Sequence, residues 1–554
     1  MLCTERMYVM RIIAAMLACC LLCTALVGCA RTPAEPIPDE PVDTRTYVMP
    51  TDDNRAFYQL MVGSYCDSDG DGIGDLRGLI SKLDYINDGD PSSKASLHAG
   101  GIWLTPVMPS PTYHKYDTTD YYDIDPDFGT LDDFRELVAA CEERGIALVI
   151  DMSINHSSNY HSWFTSASIS LRNEPCGQKV CTEESLCPEH NPCCQYYNFT
   201  QTRESGYHEV PGAEGWFYEG EYHAGMPDLN LDNELLREEI INICSFWLDM
   251  GVYGFRLDSL KSYYAGDLEK SAQFVGWLKD TLDEKYGDVY MVGELWDNSS
   301  EHIQSYYETS GIPSLFVFDL SIQSGNSISM DMRMARGYRI NEHIAEWDGL
   351  VPDGSVNSYF LSNHDMTRSA GTVGRDLVQE KQAAAIYLLL PGSSYIYYGE
   401  EIGMAGGSDT DPNKRMPMIW SALSSEGMTG KPEGATSKET LEAGVAEQLA
   451  DENSLLNFYI ETLKIRNSCP TLVYGQPEVM DYGIKAMCSY KVSYEGQTLL
   501  VLHNCGTEPV TIPVEGGDML ESLSAGGEQP TYAEGAVNMP AYTTVIIDVT
   551  ENAQ

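Results

Sequence analysis

The chain has 554 residues, 43% of them hydrophobic, which is enough for one large core with smaller domains attached. It carries 34 basic against 83 acidic residues, a formal net charge of -49. A surface of that sign repels phosphate backbones and anionic lipid, so nucleic acid is excluded as a partner and a neutral ligand such as a polysaccharide fits.

At the start, Arg6 and Arg11 flank and precede an apolar run from Ile12 to Val27 that is too short and wrongly flanked for a stable span. Residues 1–28 read as an export signal. The run closes on Leu26-Val27-Gly28-Cys29, which resembles a bacterial lipoprotein cleavage box and makes Cys29 the expected lipidated first residue of the mature chain. Contact with a membrane is then through the lipid anchor only, at the cell surface; a plain signal peptide cut nearby is the other reading. Residues 29–50 are proline-rich and acidic with little to bury, and read as a tether.

From Arg55 onward, short apolar strands alternate with amphipathic helices, the pattern of repeated βα units. Eight strands are predicted, beginning at Ala56, Gly101, Ala147, Gly251, Val289, Ser314, Ser358 and Ser394. Between them lie runs such as LDDFRELVAACEERG, with apolar positions every three or four residues and Gly145 as a natural stop. Eight such units predict a (β/α)8 TIM barrel over 51–156 and 226–468. Two segments break the rhythm. Residues 157–225, after the third strand, are too long for an ordinary loop and predict a small inserted domain. Residues 469–554 hold alternating segments such as TLLVLHN and TTVIIDV and predict a C-terminal antiparallel β-sandwich.

The insertion contains Cys176, Cys181, Cys187, Cys193 and Cys194, with His190 the only imidazole among them. The spacing matches no standard zinc pattern, and an exported chain permits disulfides, so one or two local disulfides are expected, with metal binding the rival. The cysteine count past Cys29 is odd, leaving at least one buried free thiol, for which Cys141 and Cys244 are suited. Nearer the start, DSDGDGIGDLRG sets Asp67, Asp69, Asp71, the carbonyl of Ile73 and Asp75 in one glycine-assisted turn. Hard oxygen donors at that spacing suit calcium, although Gly78 stands where an EF-hand needs its bidentate Glu.

Four segments end apolar runs with polar residues: DMSINH (Asp151 to His156), GFRLDS (Gly254 to Ser259), VGELW (Val292 to Trp296) and LSNHD (Leu361 to Asp365). They bring forward Asp258, Glu294 and Asp365 at strand ends, where a parallel barrel presents its catalytic groups. Splitting a glycosidic bond needs one carboxylate at the anomeric carbon and one carboxylic acid on the leaving oxygen. Arg256, two residues before Asp258, shares its side of the strand and can keep that carboxylate ionised.

In order and strand position, these four segments resemble the conserved regions of the α-amylase family, glycoside hydrolase family 13, over Ala56 to about Ser468. The resemblance implies a retaining mechanism with Asp258 as nucleophile, Glu294 as acid and base, their carboxyl groups about 5 to 5.5 Å apart, and Asp365 holding sugar hydroxyls. It implies sugar contacts by Tyr116, His156, Arg256, Lys261, Asn363 and His364, a structural calcium ion in the Asp67 loop, and Asn155 as a ligand of a second calcium site. Asp117 and Asp120 are open between sugar binding and loop ordering. Met226 with PDLN (Pro227 to Asn230) is similar to a motif of a bacterial group between oligo-glucosidases and neopullulanases that includes α-amylases. Ser262 stands where many amylases carry His. The expected activity is α-1,4 cleavage of starch or maltooligosaccharides. An exo-acting α-glucosidase, a cyclomaltodextrinase, neopullulanase or glucanotransferase, and an inactive surface glycan-binding protein remain as alternatives.

Overall fold

A computed structural model describes residues 47, 49–182, 186–321, 327–407 and 410–550. The export signal and the lipidation expected at Cys29 lie outside the described residues. Eight parallel strands close into one barrel: β1 (Ala56–Leu60), β2 (Gly101–Leu104) and β3 (Ala147–Met152), then, past an insertion containing β4 (Phe199–Thr200), β5 (Tyr207–Glu209) and β6 (Phe217–Glu219), β7 (Gly254–Leu257), β8 (Tyr290–Gly293), β9 (Ser314–Phe316), β10 (Val356–Phe360) and β11 (Ser393–Tyr397). The order around the barrel is β1-β11-β10-β9-β8-β7-β3-β2. Strands covered on both faces read as near-continuous apolar runs. The alternate residues Phe57, Trp103, Val149, Tyr290, Phe316, Phe360 and Tyr395 fill the barrel interior, with Phe57 and Tyr395 stacked at 4.8 Å. Tyr58, Ile102, Ile150 and Met291 face the surrounding helices.

All eight predicted strands form, each shorter than its apolar run. The first stops at Leu60, and Val62–Tyr65 turns helical. The following loop folds back onto that turn: Gly74 donates its N–H to Gly63 O at 3.0 Å, and a Cβ on Gly74 would lie 2.0 Å from Val62 O. Because the strands end early, Asp258 and Glu294 fall one residue past β7 and β8, at the open rim.

The insertion pairs its strands in the order β4-β6-β5 beside the helix Ser162–Ser170. It is pinned to the barrel segment by β-bridges His156–Asp228 and Tyr197–Leu229. No disulfide joins its cysteines, contrary to the expectation above; the sulfurs of Cys176, Cys181 and Cys187 gather around His190 instead. Cys141 and Cys244 are buried free thiols.

After the barrel come β12 (Gln476–Val479), β13 (Met487–Tyr494), β14 (Gln497–Asn504), β15 (Val510–Pro513), β16 (Asp518–Ser524), β17 (Thr531–Ala533), β18 (Ala536–Met539) and β19 (Thr543–Asp548). They form two antiparallel sheets, β12-β13-β14-β19-β16 and β15-β18-β17. Met487, Leu500, Leu502, Ile512, Val537, Val545 and Ile547 pack into a separate apolar core there, as alternating patterning predicts. The barrel helix Gly337–Asp348 docks so closely on β13 that a Cβ on Gly337 would meet the Met487 backbone at 2.4 Å.

Candidate active site

The rim of the barrel opens into a cleft of about 1100 Å³ lined by Tyr116, His156, Asp258, Lys261, Glu294 and Asp365 together with side chains of the insertion. Beneath it lies Arg256, which is 1% exposed. β3 and β7 pair with Asp151 opposite Arg256, and the guanidinium reaches Asp151 at 2.9 Å, Asp258 at 2.5 Å and Glu294 at 2.9 Å. One cation thus bridges three acids. One buried cation cannot balance three buried carboxylates, so the excess negative charge favours protonation of some of them.

Ser259, directly after Asp258, has φ 53. This left-handed turn costs a residue with a Cβ about 1–2 kcal/mol, and it aims the Ser259 N–H at Glu294 Oε2, 3.0 Å away. Burial pushes the Glu294 carboxyl up to about 8, with the charges of Asp258 and Asp365 adding to the rise and Arg256 opposing it. Glu294 therefore holds its proton at neutral pH. Burial likewise raises Asp151, to about 7.

Asp365 takes the opposite course. Burial opposes its charge, yet His364, with Nε2 3.1 Å away, and the guanidiniums of Arg415 and Arg256 hold Asp365 below the usual carboxylate range, while burial pushes His364 itself down to about 3. Arg415 reaches Asp365 at 2.7 Å, donates to His364 O at 3.0 Å and to Tyr113 at 3.0 Å. His364 has Tyr116 Oη at 2.6 Å on one ring nitrogen and Gln59 at 2.8 Å on the other. Tyr116 Oη also donates to Asp151 at 2.9 Å.

Several residues expected to touch sugar sit behind the cleft. Arg256, Asn363 and His364 are buried and do not line it; Asn363 accepts the N–H of Asp365 at 2.9 Å and so shapes the loop that carries it. Lys261 lines the cleft but is held by Asp297 at 2.9 Å. Asp117 accepts from Ser110 at 2.6 Å and from Thr112, and Asp120 accepts the N–H of Tyr122, so both order their own loop, with Asp117 also at the cleft wall.

In the first loop, carboxylate oxygens of Asp67, Asp69 and Asp71 converge within 4.8 Å. The N–H groups of Gly70 and Gly72 close the turn onto Asp67, and that of Ile73 onto Asp71. Asp75 stands apart: it accepts from Ser68 and caps the helix Leu76–Ser81 through Gly78 N–H at 2.8 Å. Three hard-oxygen donors with no basic partner among the described residues fit a calcium ion. Asn155 instead faces Asp228, at 3.4 Å, whose carboxyl burial raises to about 7.

Three functional side chains escaped the sequence reading. Asp151 carried a signal, an ionisable group inside the apolar run ALVIDMS, which a buried strand tolerates only with a partner. Arg415 carried none, lying 50 residues beyond its partner Asp365. Tyr222, from the insertion, reaches across the cleft to Ser262 at 2.7 Å, a contact that only the three-dimensional arrangement reveals.

The comparisons with known proteins agree with this geometry. Residues 59–475 match the model of the α-amylase catalytic domain, and residues 487–546 match that of the C-terminal domain of the α-amylase SusG. The chain is 36% identical over 459 residues to α-amylase 3 of Dictyoglomus thermophilum, covering 81% of this chain and 84% of that one. It is 27% identical to an oligo-1,6-glucosidase of Bacillus cereus, covering 81% and 90%. The solved structure of Amy13B from Eubacterium rectale superposes with a TM-score of 0.83 at 36% identity, over 92% of this chain and 98% of that one. A barrel, a rim of bridged carboxylates and a match over most of the chain lead to one conclusion: the chain belongs to the α-amylase family, glycoside hydrolase family 13.

Proposed function

We propose that the protein is a retaining α-amylase that cleaves α-1,4-glucosidic bonds of starch or maltodextrins through a covalent intermediate on Asp258. The observation that carries the reading is a pair of carboxyls held at the barrel rim by one guanidinium, Asp258 at 2.5 Å and Glu294 at 2.9 Å, with Glu294 raised by burial to about 8. A proton on Glu294 is available for the leaving glycosidic oxygen as Asp258 attacks the anomeric carbon. Once Asp258 is esterified its negative charge is gone, and with it one of the causes that raise Glu294. Glu294 then gives up its proton more readily and serves as base toward the incoming water. Asp365, kept ionised by Arg415, is placed to hold sugar hydroxyls and favour the positively charged transition state.

An extended glucan is favoured by the open cleft, which offers the rings of Tyr113, Tyr116, Tyr222 and Trp296 along its walls. The rival, an exo-acting or oligosaccharide-directed glucosidase, rests on relatives named oligo-1,6-glucosidase and glucan 1,6-α-glucosidase and on Ser262 at a subsite position. Chromatography of early products from amylose, pullulan and maltotriose decides between them. Mixed maltooligosaccharides with a rapid fall in iodine staining are expected; glucose alone from the outset would sink the endo-acting reading.

Two further assignments belong to the same reading. Calcium held by Asp67, Asp69 and Asp71 stabilises the loop after β1, supported by their convergence and by the lack of a cationic partner among the described residues. Anchoring at Cys29 puts the activity on the cell surface, supported by the apolar run and the Leu26 to Cys29 box. Palmitate labelling that a Cys29→Ser substitution does not remove would refute the anchor.

A further inference from the structure

The described residues between Arg172 and His190 have little apolar packing to hold them. Only Cys187 among them is buried, and none lies in an α-helix or a strand. A stretch without an apolar core keeps a fixed shape only through cross-links or a bound ion. Yet three of its side chains converge on a fourth: one ligand atom each from Cys176, Cys181, Cys187 and His190 lies within 4.8 Å of all the others. His190 Nδ1 is 3.5 Å from Cys176 Sγ and 3.4 Å from Cys187 Sγ.

Those distances have a simple meaning. Tetrahedral zinc, with bonds of about 2.3 Å to sulfur and about 2.0–2.1 Å to nitrogen, sets a sulfur–nitrogen edge of about 3.5 Å and a sulfur–sulfur edge of about 3.8 Å. A disulfide would consume two of the sulfurs and leave one thiol and the imidazole without a purpose. Zinc uses all four donors. Backbone N–H groups also point at the sulfurs, that of Gln178 at Cys176 and that of Glu189 at Cys187, the outer hydrogen bonds that stabilise metal-bound thiolates. The short turn that brings His190 N–H to Cys187 O at 3.1 Å places both donors of Cys187-Pro-Glu-His190 on one side.

We propose that Cys176, Cys181, Cys187 and His190 form a structural zinc site that fixes the insertion beside the cleft. Four protein ligands leave no open position, so the ion takes no part in the chemistry. Its soft donors also separate it from the oxygen-lined Asp67 loop, which suits calcium.

The test uses the full chain, expressed with zinc in the medium, purified through metal-free buffer and assayed for metal by mass spectrometry. One zinc per chain is expected. Cys187→Ser and His190→Ala should each lower the zinc content several-fold, while Cys193→Ser, outside the four, retains it. Stripping zinc with phenanthroline, a chelator that spares calcium, should expose Arg172 and Lys179 to trypsin several-fold faster. If the variants fail to fold, the unmodified chain still decides, because cobalt loaded into the stripped site must show the visible bands of a tetrahedral thiolate complex. A zinc-free chain in which peptide mapping finds a disulfide among Cys176, Cys181 and Cys187 would overturn the proposal, as would no cobalt spectrum, or zinc retained by the Cys187→Ser, His190→Ala double variant. None of these readouts involves substrate, so their failure leaves the glycosidase reading intact.

Discussion

Asp258, Glu294 and Asp365 crowd together at the rim of the barrel, and Asp67, Asp69 and Asp71 crowd together in the loop after β1, yet the two triads are built differently. The first has its cations in the chain: Arg256 and Arg415 are 1% and 4% exposed and hold the carboxylates at 2.5 to 2.9 Å. The second has backbone N–H groups and no cationic side chain among the described residues. Burial and fixed guanidiniums drive the carboxyls of the first triad apart, Glu294 up and Asp365 down, which catalysis needs. The second triad is half-buried at Asp67 and exposed at Asp69 and Asp71, and its clustered negative charge suits an ion from solution. On the proposed reading the same residue type gives chemistry in one place and a structural calcium site in the other, according to where the positive charge comes from.

The sharpest break in this comparison is Glu294→Gln, which keeps the shape and removes the transferable proton; kcat on maltooligosaccharides should fall about 10²–10⁴-fold. In the unmodified protein kcat/KM should hold at neutral pH and decline as pH rises through about 8, where Glu294 loses its proton. A profile whose alkaline limb lies near 5 would contradict that assignment. Next in size is Arg256→Met, which strands Asp151, Asp258 and Glu294 without their shared cation. Removing one partner of a buried ion cluster costs about 3–5 kcal/mol, read from urea unfolding.

On the loop side, chelating calcium should lower the unfolding temperature. A site held at 100 times its Kd contributes about 2.7 kcal/mol, all of it lost with the ion. The smallest effect is expected from Asp71→Asn, which should abolish the response of stability to calcium while leaving kcat unchanged. If kcat instead fell as far as in Glu294→Gln, the division between a chemical and a structural triad would collapse.

How much of this could be read from the sequence depended on range. Asp258, Glu294 and Asp365 were legible because each follows an apolar strand run, and the eight runs could be counted. Arg256 was legible as a partner of Asp258 because period two puts both on one side. Its second role, binding Asp151 and Glu294 from neighbouring strands, needed the barrel register. Arg415 comes from the segment beyond β11, and no local pattern ties it to Asp365. The cysteine cluster failed for a related reason. Spacing along the chain matched no known zinc pattern, and only the folded turn shows three sulfurs meeting one imidazole. The end of β1 was misjudged because MVGSY continues the apolar run, while the close approach of Gly74 that bends it is a tertiary contact.

In the proposed mechanism Asp258 carries the glycosyl group while Glu294 manages the proton. Incubating the protein with 5-fluoro-α-glucosyl fluoride, which slows release of the intermediate, and mapping peptides by mass spectrometry tests it most directly. A single fluoroglucosyl adduct on Asp258 is expected, absent from Asp258→Asn, with released sugar first appearing as the α-anomer. An adduct on another residue, or no adduct with β-anomer released first, would contradict it.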